Sequence, residues 1–114
     1  MSVQTFINRL STQPDSVQFS DTMEVITKNY IYSPSAFKNG DTHNELGTNE
    51  GSCKIFAFAQ LNNLDQSQTL MCFGDYYRVD VLQHPKNDDH ANIRNFIKFG
   101  WDGIEFEHAA LTLK

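Results

Sequence analysis

The sequence predicts an α+β fold, mainly helical around one buried central helix at about residues 51–63, with a small antiparallel sheet. Three observations carry this reading. Ile55, Phe56, Ala57, Phe58, Ala59 and Leu61 leave almost no polar face, and a helix apolar nearly all round is a buried one. The segments on either side place their apolar residues at helical spacing. Residues 30–46 and 104–108 change period, to short β-branched and aromatic runs beside an Asn39-Gly40 turn and then to strict alternation.

The 114 residues form a single small domain, 1–114, long enough to bury roughly two-thirds of the unfolded surface in one core. Nine phenylalanines, four tyrosines and Trp101 make that core aromatic. A formal net charge of -5 with scattered Lys and Arg argues against nucleic acid as a partner, because that binding neutralises phosphates. No apolar run reaches the length of a membrane span, and residues 1–10 lack the basic start and apolar core of a signal peptide. Cys53 and Cys72 lie in apolar segments and read as free core thiols.

In chain order, Val3, Phe6, Ile7 and Leu10 define a first helix over 2–10 that Ser2 can cap. Ser11–Pro14 connects it to a short turn anchored by Val17 and Phe19. A second helix starts near Ser20 or Asp21, where Asp21 and Glu24 fit a capping box, and stops at Asn29. Tyr30–Tyr32, 35–38 and 42–46 read as strands of one small sheet. The central helix follows, with Asn49 or Ser52 as its cap. Asp65 opens a short helix that ends at Gly74, with Leu70, Met71 and Phe73 inward. Asp75 opens another through Leu82, halted before His84-Pro85. Asp88 or Asp89 caps the next helix, whose buried stripe is Ile93, Phe96 and Ile97, and Gly100 fits its stop. After a turn at 101–103, residues 104–108 alternate as a half-buried strand. Leu111 and Leu113 in the tail extend that pairing.

The loop entering the central helix is the first place to look for chemistry. Gly47–Lys54 offers free N–H groups at a helix N-terminus, two glycines and a Lys, which are ingredients of phosphate binding. The spacing departs from a P-loop: three residues separate the glycines, and Lys54 stands three places after Gly51. A capped loop that packs against its neighbours fits better; the alternative is a pocket for a small polar ligand or a peptide, with Thr48, Asn49, Glu50 and Lys54 as its residues. His90, Asn92, Arg94, Trp101 and Asp102 are the candidates contributed by the C-terminal part. Asn92 and Arg94 are placed to clamp Glu50 or Asp102, since Arg holds carboxylates in a bidentate fork. His43 and Glu45 alternate on a strand face and, joined by His90 or His108, supply ligand types that zinc or iron accepts. Their spacing matches no metal motif, so no metal and no cofactor is expected. Cys53 near a helix N-terminus, with His90 as a base, is the alternative of a small enzyme centred on Glu50, Cys53 and His90. That alternative requires a concave site where Glu50, His90 and Arg94 converge.

Three blocks in order, Gly-Thr-Asn-Glu-Gly-Ser-Cys-Lys-Ile-Phe-Ala-Phe-Ala (47–59), Cys-Phe-Gly-Asp-Tyr-Tyr-Arg (72–78) and His-Ala-Asn-Ile-Arg-Asn-Phe (90–96) with Gly-Trp-Asp-Gly (100–103), resemble the HopJ family of type III secretion effectors. The resemblance runs over nearly the whole chain. It implies a small single-domain protein of the bacterial cytoplasm that a type III system delivers into a host cell. There it would bind or modify a host protein. It brings no catalytic residues with it. A non-enzymatic module that binds a host or bacterial protein, or a small polar ligand, is the function expected.

Overall fold

A computed structural model describes residues 1–114. Helix α1 (Val3–Thr12) begins where Ser2 Oγ accepts the Thr5 N–H at 3.1 Å, and runs two residues further than its apolar spacing predicts, to Thr12, before a 3₁₀ turn at Pro14–Ser16. Helix α2 (Phe19–Asn29) starts earlier than expected. Gln18 is its cap, and Asp21 sits in the first turn, accepting the Gln18 N–H at 3.0 Å. Strand β1 is Tyr30–Tyr32, β2 Phe37–Asn39 and β3 Thr42–Asn44. Helix α3 (Glu50–Leu61) is the central helix, α4 (Gln66–Met71) follows, and a π-helical segment spans Tyr76–Val81. Helix α5 (Ala91–Phe99), a 3₁₀ turn at Gly100–Gly103, β4 (Ile104–Phe106) and β5 (Leu111–Leu113) complete the chain.

Helix α3 is buried as its composition demands, with Cys53, Ile55, Phe56, Ala57, Phe58 and Ala59 all in the core. Phe56 is the hub. Its ring centroid lies 5.0 Å from that of Phe96, 5.7 Å from Phe73 and 6.1 Å from Phe37. Burying such rings supplies about 3 kcal/mol each, and their tilted and edge-on geometries add to it.

The strands divide differently from the single sheet expected. β1 pairs only with β5, with Tyr30 opposite Leu113, while β2 lies between β3 and β4 in a separate sheet of order β3-β2-β4. Ser33-Pro34 separates the two groups: Pro34 has no N–H to continue a ladder, and the Ser33 N–H goes to Ala110 O at 2.7 Å. The C-terminal tail thus closes on β1 instead of prolonging β4.

Three helix starts and one buried stripe also depart from expectation. Asn49 caps α3 through its backbone only, in the left-handed region at φ 50°, because its side chain is engaged elsewhere. His90, not Asp88 or Asp89, caps α5, again left-handed at φ 51°. The segment opened by Asp75 is π-helical, with the Leu82 N–H bonded to Tyr77 O, five residues back. Arg78 pins that segment to the turn between α1 and α2 by donating to Pro14 O at 3.1 Å and Val17 O at 2.7 Å. On α5 the inward residues are Asn92, Ile93 and Phe96, so Ile97 turns outward; a polar residue takes the inward place because other buried amides satisfy it. Met71 on α4 is only half-buried beside Leu70 and Phe73.

Gly74 makes the tightest joint. Its φ is +61°, and a Cβ there would stand 2.6 Å from the backbone nitrogen of Phe19, so the end of α4 and the start of α2 touch backbone to backbone. Thr22 reinforces the joint by donating from Oγ1 to Cys72 O at 2.8 Å.

Candidate functional site

A cavity of about 340 Å³ opens between the first turns of α3 and α5. Asn49, Gly51 and Ser52 line it from α3, and His90, Ala91, Asn92 and Ile93 line it from α5. Thr42 and Asn44 of β3 contribute a third side, and Phe19, Phe73 and Tyr76 form an aromatic wall. Its size falls at the small end of ligand pockets, which run from about 300 Å³.

The walls are tied together by buried asparagines. Asn92 Oδ1 accepts from Asn39 Nδ2 at 3.0 Å and Asn44 Nδ2 at 3.1 Å, while Asn92 Nδ2 donates to Asn44 Oδ1 at 2.9 Å. Asn49 Nδ2 donates to the same Asn44 oxygen at 2.8 Å, and Asn39 Nδ2 also reaches Asn92 O at 2.8 Å. One network therefore fixes β2, β3, the α3 cap and the first turn of α5. Networks of this kind make a region rigid, because each member is costly to leave unpaired; here one buried atom, Asn39 Oδ1, has no partner in the protein. The left-handed caps add to the cost: Asn and His adopt that conformation more readily than most residues, but it still strains a non-glycine backbone.

His90 is the titratable base of the lining. Its Nε2–H donates to Asp80 Oδ2 at 2.9 Å; a carboxylate can only accept, so Nε2 carries the proton and Nδ1 has no partner in the protein. Tyr76 lies over the imidazole with ring centroids 5.1 Å apart. Behind the pair, Arg94 donates to Asp89 Oδ1 and Asp89 O, both at 2.6 Å, and to His84 O at 3.0 Å. That guanidinium holds the Asp89 carboxyl below the ordinary carboxylate range.

Of the nine residues singled out from sequence, Asn49, His90 and Asn92 meet at the cavity. The other six lie elsewhere. Arg94 braces the 80–89 segment and clamps neither Glu50 nor Asp102. Thr48 makes a turn with Glu45, donating from Oγ1 to its carbonyl at 2.7 Å. Glu50 and Lys54 belong to the Tyr32 side of α3, where Lys54 Nζ stands 4.7 Å from the Tyr32 ring centroid. Trp101 packs edge-on against Phe96 and donates to Leu64 O at 3.1 Å, and Asp102 is exposed. Cys53 is buried beside Ser35 and Tyr32, and burial pushes its thiol up, the opposite of an activated nucleophile. Burial likewise raises the Tyr32 hydroxyl, with Cys53 and Glu50 adding to the effect. So Glu50, His90 and Arg94 do not converge. His43 and Glu45 stand 4.0 Å apart on the surface, and no group of three or more His, Cys, Asp or Glu side chains is arranged to hold a metal ion.

Sequence reasoning missed Thr42, Asn44, Tyr76 and Asp80. Asparagines at 39, 44 and 49, five residues apart across a hairpin and a helix cap, were the available signal.

Compared with known proteins, residues 3–111 match the family model described as HopJ type III effector protein. The chain is also similar to a solved structure described as the crystal structure of unknown function protein VPA0580. The identity is 54% and the TM-score 0.98, over 100% of this chain and 95% of that one. None of the curated proteins matches.

Proposed function

Because the chain belongs to the HopJ type III effector protein family, we propose that it is a binding module, carried by a type III system, whose working part is the cavity between α3 and α5. One observation carries this reading. Two non-glycine helix caps, Asn49 and His90, are held left-handed so that two first turns open onto the same concave space. The buried asparagine network keeps those turns in place at a cost in strain that core packing alone does not call for. A small polar ligand is the occupant that uses the N–H groups and hydroxyls presented there.

The test is a ligand screen followed by backbone amide spectra, with Ala91→Trp as a plug. Ala91 is exposed at the cavity mouth, so the bulky ring fills the space without entering the core. A hit should shift the signals of Asn49, Ser52 and His90, and Ala91→Trp should abolish those shifts while the remaining spectrum stays folded. Hits that map elsewhere, or that survive the plug, reject the cavity. Delivery is tested separately, by fusing the chain to a reporter enzyme active only in host cytosol and comparing bacteria with and without a working type III system. Equal reporter activity in both strains rejects it.

A further inference from the structure

We propose that the cavity selects flat, uncharged compounds that carry a carbonyl beside an N–H, the chemistry of primary amides, lactams and cyclic imides. The inference rests on the cavity being a ligand site and names what it takes.

Charge is the first discriminator. None of the residues lining the cavity is Asp, Glu, Lys or Arg. Behind His90, Asp80 lies 2.9 Å and Asp89 3.9 Å from Nε2, and the guanidinium of Arg94 is already spent on Asp89 and on backbone carbonyls. An anionic ligand would therefore meet the Asp80 carboxylate behind His90 with no side-chain cation on the lining, and a cationic ligand would find no carboxylate there. In so small a space an unpaired charge is costly.

The hydrogen-bond inventory is the second. The N–H groups of Gly51 and Ser52 on one side, and of Ala91 and Asn92 on the other, have no partner in the protein. In the neutral imidazole, with Asp80 holding the proton on Nε2, His90 Nδ1 is an acceptor beside them. Donors facing an acceptor complement a carbonyl next to an N–H. Shape is the third. Tyr76 lies 5.1 Å from the His90 ring, tilted by 37°, and meets the Phe19 ring edge-on at 5.0 Å, so an aromatic cluster on one wall offers ring contacts to a small planar molecule. A cavity of about 340 Å³, at the small end of ligand pockets, suits a single substituted ring.

Three probes sharing one ring separate the charge classes: benzamide, benzoate and benzylamine, titrated into the ¹⁵N-labelled full chain at neutral pH. Benzamide should shift Gly51, Ser52, Ala91 and Asn92 saturably and bind at least tenfold more tightly than the other two. Asp80→Asn should weaken benzamide several-fold, because an amide facing Nε2 lets the imidazole proton move to Nδ1. Imidazole ¹⁵N spectra should show Nε2–H in the wild type. If benzoate or benzylamine binds the same residues as well or better, the cavity stands and the neutral-ligand assignment is overturned. If none of the three shifts those residues, both fall. A wild-type imidazole protonated on Nδ1, or undiminished benzamide binding in Asp80→Asn, overturns the part given to the His90–Asp80 pair.

Discussion

Asn92 shows how much one side chain can be asked to hold. Its amide oxygen serves Asn39 and Asn44 at once, in a region where only 6% of the residue meets solvent. Asn92→Ala takes that acceptor away, while Asn39 keeps Asn92 O at 2.8 Å and Asn44 keeps Phe37 O at 3.3 Å. With weakened rather than orphaned donors, the expected loss is about 1–3 kcal/mol, read as a lower urea midpoint at unchanged slope. The thiols answer a different question. Burial pushes Cys72 up to about 12, so the folded chain keeps a proton that the unfolded chain gives up near pH 8.5–9. That stability is fully present below the unfolded value and is lost as pH rises toward the folded one. Alkaline titration of stability should therefore fall above about pH 9, and fall less steeply in Cys72→Ala. Asp89 works with the opposite sign: Arg94 lowers its folded value, so its contribution is present above the ordinary carboxylate range and disappears as pH drops through the lowered one. Arg94→Gln should flatten that acid limb. At this scale the sequence revealed residue types but not partners. Arg94 was read as a clamp for Glu50 or Asp102, yet it holds Asp89, five residues before it. A fork that reaches several carboxylates is assigned by the path of the loop, which local pattern does not encode.

Elements were legible where one physical cause dominated. The burial of α3 followed from its apolar sequence, and the starts of α1 and α4 at Ser2 and Asp65 followed from capping chemistry, while α4 stops at Met71, short of the Gly74 stop expected for it. Asp65 closes its box as its spacing suggests, accepting from the Gln68 N–H at 2.7 Å while Gln68 Oε1 accepts from the Asp65 N–H at 3.1 Å. Elements were misread where tertiary demands overrode local preference. His90 and Asn49 became caps without side-chain capping bonds because their side chains bond Asp80 and Asn44 instead. The π-helical segment was invisible in a pattern that differs from an α-helix by one residue per turn. Gly74 gives the element-scale prediction. Gly74→Ala forces a positive φ on an alanine and drives its Cβ into the Phe19 backbone, so a loss of about 2 kcal/mol or more is expected in thermal or urea unfolding. The loss should be accompanied by shifted amide signals along the start of α2.

For the whole molecule, the class was readable and the closure was not. A mainly helical domain with small antiparallel sheets is what the periods describe, but which strands pair depends on where Pro34 stops a ladder and where the tail lands. Removing residues 109–114 should destabilise strongly, by several kcal/mol, because it uncovers Tyr30 and deletes the buried Ala110 and Leu111; circular dichroism melts of the truncated chain measure it. The pairing of β1 with β5 also has a consequence in time. Residues 30–32 and 111–113 are far apart in sequence, so their contact closes a long loop and cannot form until β5 has left the ribosome. During synthesis β1 must wait unpaired until then. A newly made chain therefore passes through an open interval in which a chaperone would meet an unclosed polypeptide, and a mutation that weakens only the β1–β5 ladder would lengthen that interval.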